Sequence, residues 1–350
     1  MSILFAVLVS VFLFYLMAIV CDEFFVPAID VLAKKLKMSS DVSGATLLAS
    51  GSSAPEFFSS LFAIFGLAGA SADVGAGTIV GSAVFNVLVI IGLSAMFKAV
   101  TLQWKPIVRD LGFYVLTIIL LYVFFIDGQI GLAESIGFLA LYGLYIYATL
   151  KWRTWFHYED QTITETYLSK ASSKNWLNDF SKRTLGYIIP NVEKKPKLYL
   201  VTFSMSIFVI AISSYILVDQ LISSATTLGI NPTFLALTVL AVGTSVPDLV
   251  SSIIVAKQGR GDMAVGNAIG SNVFNILFGL GFPWALYLAL NSGTIAVGTD
   301  NLNASILLLL ATVIAIVFLL LIRNWKIGHK SGLLLVVMYF AYLAYEISRL

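Results

Sequence analysis

A single cysteine, Cys21, and two histidines, His157 and His329, stand among 350 residues. One thiol excludes a disulfide framework, and so few imidazoles exclude a Cys/His metal centre. Charge is equally scarce: 11% of the residues are charged, against roughly 25% in an ordinary soluble domain. What fills the chain instead is apolar, with 59% hydrophobic residues and a mean hydropathy of +0.93. A soluble protein of this length has too little interior to hide that surface. A soluble enzyme and a nucleic-acid-binding domain are therefore excluded, and the chain must sit in lipid.

A spanning helix needs about 20 mostly apolar residues. Ten such stretches run through the chain, over residues 2–21, 42–66, 75–97, 107–126, 130–150, 198–218, 232–256, 262–290, 300–322 and 331–348. The first lacks a basic lead and a small-residue cleavage site, so it reads as a retained helix and not a signal peptide. Basic residues cluster after spans one, three, five, seven and nine, beginning with Lys34, Lys98, Lys151, Lys257 and Arg323. The intervening connections hold no Lys or Arg, and Arg349 near the C-terminus is the one exception to the alternation. The positive-inside rule then places both termini outside the cytoplasm of a multi-pass cell-membrane protein. Residues 151–197 form the only sizeable polar segment, a cytoplasmic linker with an amphipathic helix expected around Asn175–Leu185. It has no dense acidic run that would sense calcium. The chain divides into a first five-helix unit at 1–150, the linker at 151–197 and a second five-helix unit at 198–350.

The two units repeat one another. Ala49-Ser-Gly-Ser-Ser-Ala-Pro-Glu56 lies over Ala241-Val-Gly-Thr-Ser-Val-Pro-Asp248, and Gly81-Ser-Ala-Val-Phe-Asn86 lies over Gly270-Ser-Asn-Val-Phe-Asn275. Five spans per unit is an odd number, so the second unit enters the membrane in the opposite sense. The expected fold is an all-α integral membrane protein of ten transmembrane helices arranged as two inverted five-helix repeats. Inverted repeats mark many secondary transporters, whose substrate site lies at mid-membrane between the halves.

Pro55 and Pro247 cannot donate a backbone hydrogen bond, which frees the carbonyls of Gly51 and Gly243. Irregular backbone at that depth is tolerated only inside protein or along a polar cavity. Beside each kink sits one acid, Glu56 or Asp248, the only two that this map of spans places deep in the bilayer. A charge there costs at least about 2.5–3.5 kcal/mol. Two carboxylates with carbonyls and the hydroxyls of Ser52, Ser53, Thr244 and Ser245 make an all-oxygen site for Ca²⁺, Na⁺ or K⁺. Asn86 and Asn275 add neutral carbonyls, and Ser82 and Ser271 add hydroxyls. One proline-kinked, serine-rich helix alone would be read as structural. The same pair of motifs in both inverted halves is not. His157 and His329 fall in cytoplasmic connections as solvated groups, and Asp127 and Glu134 lie at a membrane surface.

These motifs resemble the alpha-repeats of sodium/calcium exchangers in the cation/calcium exchanger superfamily. Cys21-Asp-Glu-Phe-Phe-Val-Pro27 and Gly77-Thr-Ile-Val-Gly-Ser-Ala-Val-Phe-Asn86 are similar to the potassium-dependent branch. The resemblance implies that Glu56 and Asp248 bind Ca²⁺ with the backbone carbonyls of Ser52 and Thr244. It implies Na⁺ ligands at Ala49, Ser53 and Ser82 and at Ala241, Ser245 and Ser271, with Asn86 and Asn275 lining the centre. It further implies that the first and sixth spans slide across the other eight.

Potassium-dependent members carry Asp where this chain has Asn275, whereas the set Glu, Asp, Asn, Asn matches exchangers without potassium coupling. Two carboxylates balance one Ca²⁺, and a K⁺ besides would leave one positive charge over. The expected function is therefore K⁺-independent, electrogenic Na⁺/Ca²⁺ antiport by alternating access. At about three Na⁺ per Ca²⁺, the ratio the resemblance implies, one excess charge moves per cycle, worth about 2.3 kcal/mol per 100 mV. The alternatives are K⁺-dependent exchange and Ca²⁺/H⁺ antiport on carboxylates of raised pKa. A channel would need weaker sites than two deep acids. No nucleophile–base pair suggests an enzyme, and no cofactor is expected. The partners are the transported ions and the lipid bilayer, without nucleic acid.

Overall fold

The computed structural model describes residues 3–67, 71–158, 176–192 and 194–348. Almost every element is helical. In the first half α1 covers 3–35, α2 covers 40–64, α3 is Ala72–Phe97, α4 is Trp104–Phe125 and α5 is Leu132–Phe156. The linker helix α6 is Trp176–Leu185. In the second half α7 is Tyr199–Leu228, α8 is Pro232–Lys257, α9 is Gly261–Leu290, α10 is Thr299–Ile322 and α11 is His329–Ile347. Among the described residues, nine helices are long and apolar enough to cross a membrane. The tenth expected span, α2, is not among them, and its stretch Ala54–Ile64 is a shorter apolar helix.

Four two-residue strands reveal the inversion. β1 (Val100–Thr101) precedes α4 and pairs antiparallel with β4 (Lys326–Ile327), which follows α10. β2 (Gln129–Ile130) follows α4 and pairs antiparallel with β3 (Ile295–Ala296), which precedes α10. Helices α4 and α10 are equivalent in the two halves, yet each starts on the side where the other ends. Both connections at the β1–β4 end are basic, with Lys98 and Lys105 near Arg323 and Lys326, and those at the β2–β3 end have no basic residue.

Several helices outrun the apolar stretches that announce them. α1 continues past Val20 through a π-helical turn, Cys21–Phe25, to Lys35. At 1.5 Å per residue such a helix is about 50 Å long, well beyond a 30 Å hydrocarbon core. Asp22 and Glu23 look like a helix end in sequence, but Glu23 forms an ion pair with Lys182 of α6. Likewise α7 runs ten residues past the expected end at 218 and stops at Leu228, where Gly229 adopts φ 65°.

The interior is built on α3 and α9. Every residue from Val74 to Phe85 and from Gly261 to Phe274 is buried. Around them α4, α5, α10 and α11 pack with Tyr114, Phe125, Phe138, Trp284 and Leu309 in one apolar cluster. A second cluster joins α1 to α7 through Leu13, Met17, Val20, Ile210, Leu217 and Val218. Outward faces remain apolar, as at Phe12, Phe208, Phe318 and Phe340, which suits contact with acyl chains.

Besides Glu56 and Asp248, three acids of the spanning helices are buried among the described residues: Asp110, Asp262 and Glu346. Asp110 of α4 accepts from Arg109 Nε at 2.8 Å and from the Tyr145 hydroxyl at 3.2 Å. Arg109 also approaches Asp41 at 3.6 Å. Glu346, in the last turn of α11, accepts from Ser305 at 2.7 Å. Asp262, in the first turn of α9, accepts from the Gln103 N–H at 2.9 Å. All three sit near helix ends with polar partners, which is how a buried acid is tolerated. Asp127 and Glu134 cap the α4–α5 connection, accepting from the N–H groups of Gln129 and Gly131.

Candidate functional site

The two motif helices break at equivalent residues, Ser53 (φ −86°, ψ 10°) and Ser245 (φ −82°, ψ 3°). Proline two residues later supplies no N–H to the helix. The Ser53 and Ser245 N–H groups still close on the Ala49 and Ala241 carbonyls at 3.1 and 3.3 Å, and they also face the Gly51 and Gly243 carbonyls that the prolines leave without a helical partner. A new helix starts after each break, and Glu56 and Asp248 occupy its first turn. Unpaired N–H groups at such an end favour a carboxylate. Each acid is thus stabilised locally although it is fully buried.

The acids reach across the repeat. Ser245 Oγ donates to Glu56 Oε1 at 2.8 Å, and Ser53 Oγ lies 3.5 Å from Asp248 Oδ2. Asn86 Nδ2 donates to Asp248 Oδ2 at 3.1 Å, and Ser271 Oγ donates to Asp248 Oδ1 at 3.0 Å. Ser271 Oγ also lies 3.4 Å from the Ala49 carbonyl. So two groups draw on both halves, Glu56 with Ser245 and Asp248 with Ser53, Asn86, Ser271 and, through Ser271, the Ala49 carbonyl.

Other selected residues are placed differently. The Ser52 and Thr244 hydroxyls turn back on the carbonyls of Leu48 and Leu240, at 2.7 and 3.0 Å. Each also interacts with the acid of the other half, Ser52 with Asp248 and Thr244 with Glu56. Ser82 likewise donates to Ile79 at 3.0 Å, so its hydroxyl does not mirror that of Ser271. Ala241 takes Thr244 Oγ1 at 3.4 Å on its carbonyl. Asn275 is buried, and neither of its side-chain polar atoms has a protein partner. Glu56 Oε2 and Asn86 Oδ1 are also unpartnered. A native interior rarely leaves such groups unsatisfied without a role for them. The set is oxygen-rich and carries two formal negative charges, and among the described residues no cationic side chain is hydrogen-bonded to either acid.

Helix geometry accompanies both motifs. π-helical turns at Gly44–Leu48 and Ala236–Leu240 precede the breaks, and others at Asn86–Ile90 and Asn275–Leu280 begin at the two asparagines. Such turns gather at functional sites because the extra residue re-aims neighbouring side chains. Four residues outside the sequence selection, Asn267, Ser252, Asn272 and Tyr114, also enter the network. Asn267 Nδ2 donates to Ser252 at 2.9 Å, while its Oδ1 lies 3.4 Å from Ser52 Oγ. Asn272 links Asn86 to Tyr114 of α4. Asn272 had one visible signal, since it breaks the repeat opposite Ala83.

Comparison with known proteins agrees with this architecture. The family described as "Sodium/calcium exchanger protein" matches residues 6–151 and 198–348. Sodium/potassium/calcium exchanger 4 of Mus musculus is 29% identical, with 99% of this chain and 81% of the relative aligned. Sodium/potassium/calcium exchanger 3 of Homo sapiens is 30% identical, with 97% and 80% aligned. The solved sodium-calcium exchanger NCX_Mj, soaked with 10 mM Na⁺ and no Ca²⁺, shares the fold. Its TM-score is 0.65 at 24% identity, with 98% of this chain and 99% of that chain covered. Both halves and the connections between their helices are thus accounted for, and the chain belongs to the sodium/calcium exchanger family of multi-pass membrane proteins.

Proposed function

We propose that this chain exchanges Na⁺ for Ca²⁺ at the Glu56–Asp248 constellation, by alternating access, without K⁺ and with net charge movement. One observation carries the reading: the two acids converge from opposed half-helices onto a buried set of oxygens that includes the unpartnered Glu56 Oε2 and Asn86 Oδ1. Ca²⁺ would take both carboxylates and the backbone carbonyls of Ser52 and Thr244. Na⁺ would use Ser53, Ser245, Ser271 and the Ala49 carbonyl, with Asn86 and Asn275 at the centre. Ser82 and the Ala241 carbonyl complete that set only if the Ser82 hydroxyl leaves Ile79.

Charge argues against K⁺. The site has two negative charges, and Asn275 contributes none. K⁺-dependent exchange is the second reading, favoured by relatives named as sodium/potassium/calcium exchangers over nearly the whole chain. Ca²⁺ uptake into Na⁺-loaded proteoliposomes at fixed pH and clamped voltage separates the two. Uptake should need internal Na⁺ and change less than twofold when K⁺ is replaced by choline. A strict K⁺ requirement selects the second reading, and uptake driven by a pH gradient without Na⁺ makes the protein a proton antiporter.

The basic β1–β4 end is assigned to the cytoplasm, which puts residues 3 and 348 outside. A cysteine replacing Ser348 in a Cys21→Ala background should be labelled by an impermeant maleimide on intact cells. One replacing Lys330 should be labelled only after permeabilisation. The reverse pattern overturns the orientation.

A further inference from the structure

The two central asparagines are equivalent by repeat and unequal in surroundings. Asn272 Nδ2 donates to the Ala83 carbonyl at 3.1 Å and lies 2.9 Å from the Tyr114 hydroxyl. A backbone carbonyl can only accept, so this contact fixes which end of the Asn272 amide is nitrogen. Its Oδ1 must then face Asn86, where it accepts from Nδ2 at 2.9 Å. The same Asn86 nitrogen donates to Asp248 Oδ2 at 3.1 Å. With both its donors so placed, Asn86 turns Oδ1 away from every protein group, and that oxygen is buried and unpartnered. The orientation therefore passes from Ala83 and Tyr114, through Asn272, to Asn86.

Among the described residues no such clamp holds Asn275. The residue opposite Asn272 in the repeat is Ala83, which has no side-chain polar atom to hold Asn275. Accordingly both ends of the Asn275 amide lack protein partners.

We infer that Tyr114 and Asn272 are positioning residues that lock the Asn86 amide with its carbonyl oxygen toward the transported cation, while Asn275 stays free to turn. The inference rests on the reading of Glu56 and Asp248 as the cation site. A turned Asn86 would present N–H groups to a cation and its carbonyl to the Asp248 carboxylate, both repulsive. The clamp removes that alternative. Asn275 can donate when no cation is bound and accept when one is, a freedom that an exchanger of two unlike ions can use. Tyr114 lies on α4, outside both repeated motifs, and this lock gives its buried hydroxyl a purpose.

The test compares Tyr114→Phe with wild type in Na⁺-driven Ca²⁺ uptake and in Ca²⁺-dependent thermal protection. Loss of one hydrogen bond should raise the Ca²⁺ concentration for half-maximal effect about three- to tenfold, with the maximal rate within twofold. Asn272→Leu, similar in volume, removes the whole clamp and should raise it at least as far. In an Asn86→Ala background Tyr114→Phe should leave Ca²⁺ protection unchanged, whereas in an Asn275→Ala background its full effect should persist. An unchanged half-maximal concentration in Tyr114→Phe, or an equal effect with and without Asn86, overturns the positioning role. Should Tyr114→Phe fail to fold, the same comparisons with Asn272→Leu decide. Failure of the underlying site reading shows separately, as normal uptake by Glu56→Gln.

Discussion

Glu56→Gln is expected to abolish Na⁺-driven Ca²⁺ uptake while leaving the protein folded. Removing one member of a buried charge-paired set costs about 3–5 kcal/mol. At about 1.4 kcal/mol per factor of ten, that is at least two orders of magnitude in apparent Ca²⁺ affinity. Folding should move the other way. Without a cation the two buried carboxylates repel one another and lack water, so neutralising one relieves the unliganded protein. The variant should therefore melt no lower than wild type in chelator and lose the rise in Tm that Ca²⁺ gives the wild type. A ligand at 100 times its Kd stabilises by about 2.7 kcal/mol, which makes that loss measurable.

Asp248→Asn should be equally inactive but less well folded. Asp248 accepts from Ser53, Asn86 and Ser271, whereas Glu56 accepts from Ser245 and keeps Oε2 free. An amide at 248 sets an N–H against at least one of those donors. Wild-type uptake by either variant overturns the site.

The sequence reads the site and the scaffold to different depths. The two breaks are legible because Pro55 and Pro247 stand in register within a repeat, beside the acids. Proline acts on its own helix and needs no tertiary context. The inversion is legible from charge, since Lys98 and Arg323 mark one face, and the β1–β4 pairing brings those connections together. The end of α1 is not legible. Asp22 and Glu23 interrupt the apolar run, and the partner of Glu23 is Lys182, in another helix far along the chain. The π-helical turns escape as well, because Gly44–Leu48 and Asn86–Ile90 have the composition of any buried helix. The Asn272–Tyr114 contact joins residues 158 positions apart. Nothing local in α4 distinguishes Tyr114 from a tyrosine at an interface.

Gly81→Ala is expected to be the most damaging single-methyl addition in the chain. A Cβ at Gly81 would stand 2.1 Å from the Leu237 carbonyl oxygen, 2.7 Å from its carbon and 2.8 Å from Ala241 Cβ. Leu237 lies in the π-helical turn that leads into the Ser245 break. The obstacle is backbone, so α3 and α8 must part, and an overpacked core ordinarily loses about 1–3 kcal/mol. Here the same shift moves Asn86 against Ala241 and Ser245. Uptake should fall at least tenfold, with a lower Tm. Gly243→Ala makes the useful contrast. Its Cβ would fall 1.9 Å from the Phe14 ring, a closer clash, but with the far end of a side chain on α1. Phe14→Ala should therefore restore Gly243→Ala, whereas no single side-chain truncation should restore Gly81→Ala. Gly51 repeats the pattern against Phe25, also on α1. Rings can turn aside and carbonyls cannot. The obstacle at Gly243 and Gly51 is thus a side chain of α1, and that at Gly81 is the backbone of α8. Gly81→Ala exchanging at the wild-type rate, or Gly243→Ala beyond rescue by Phe14→Ala, would remove that distinction.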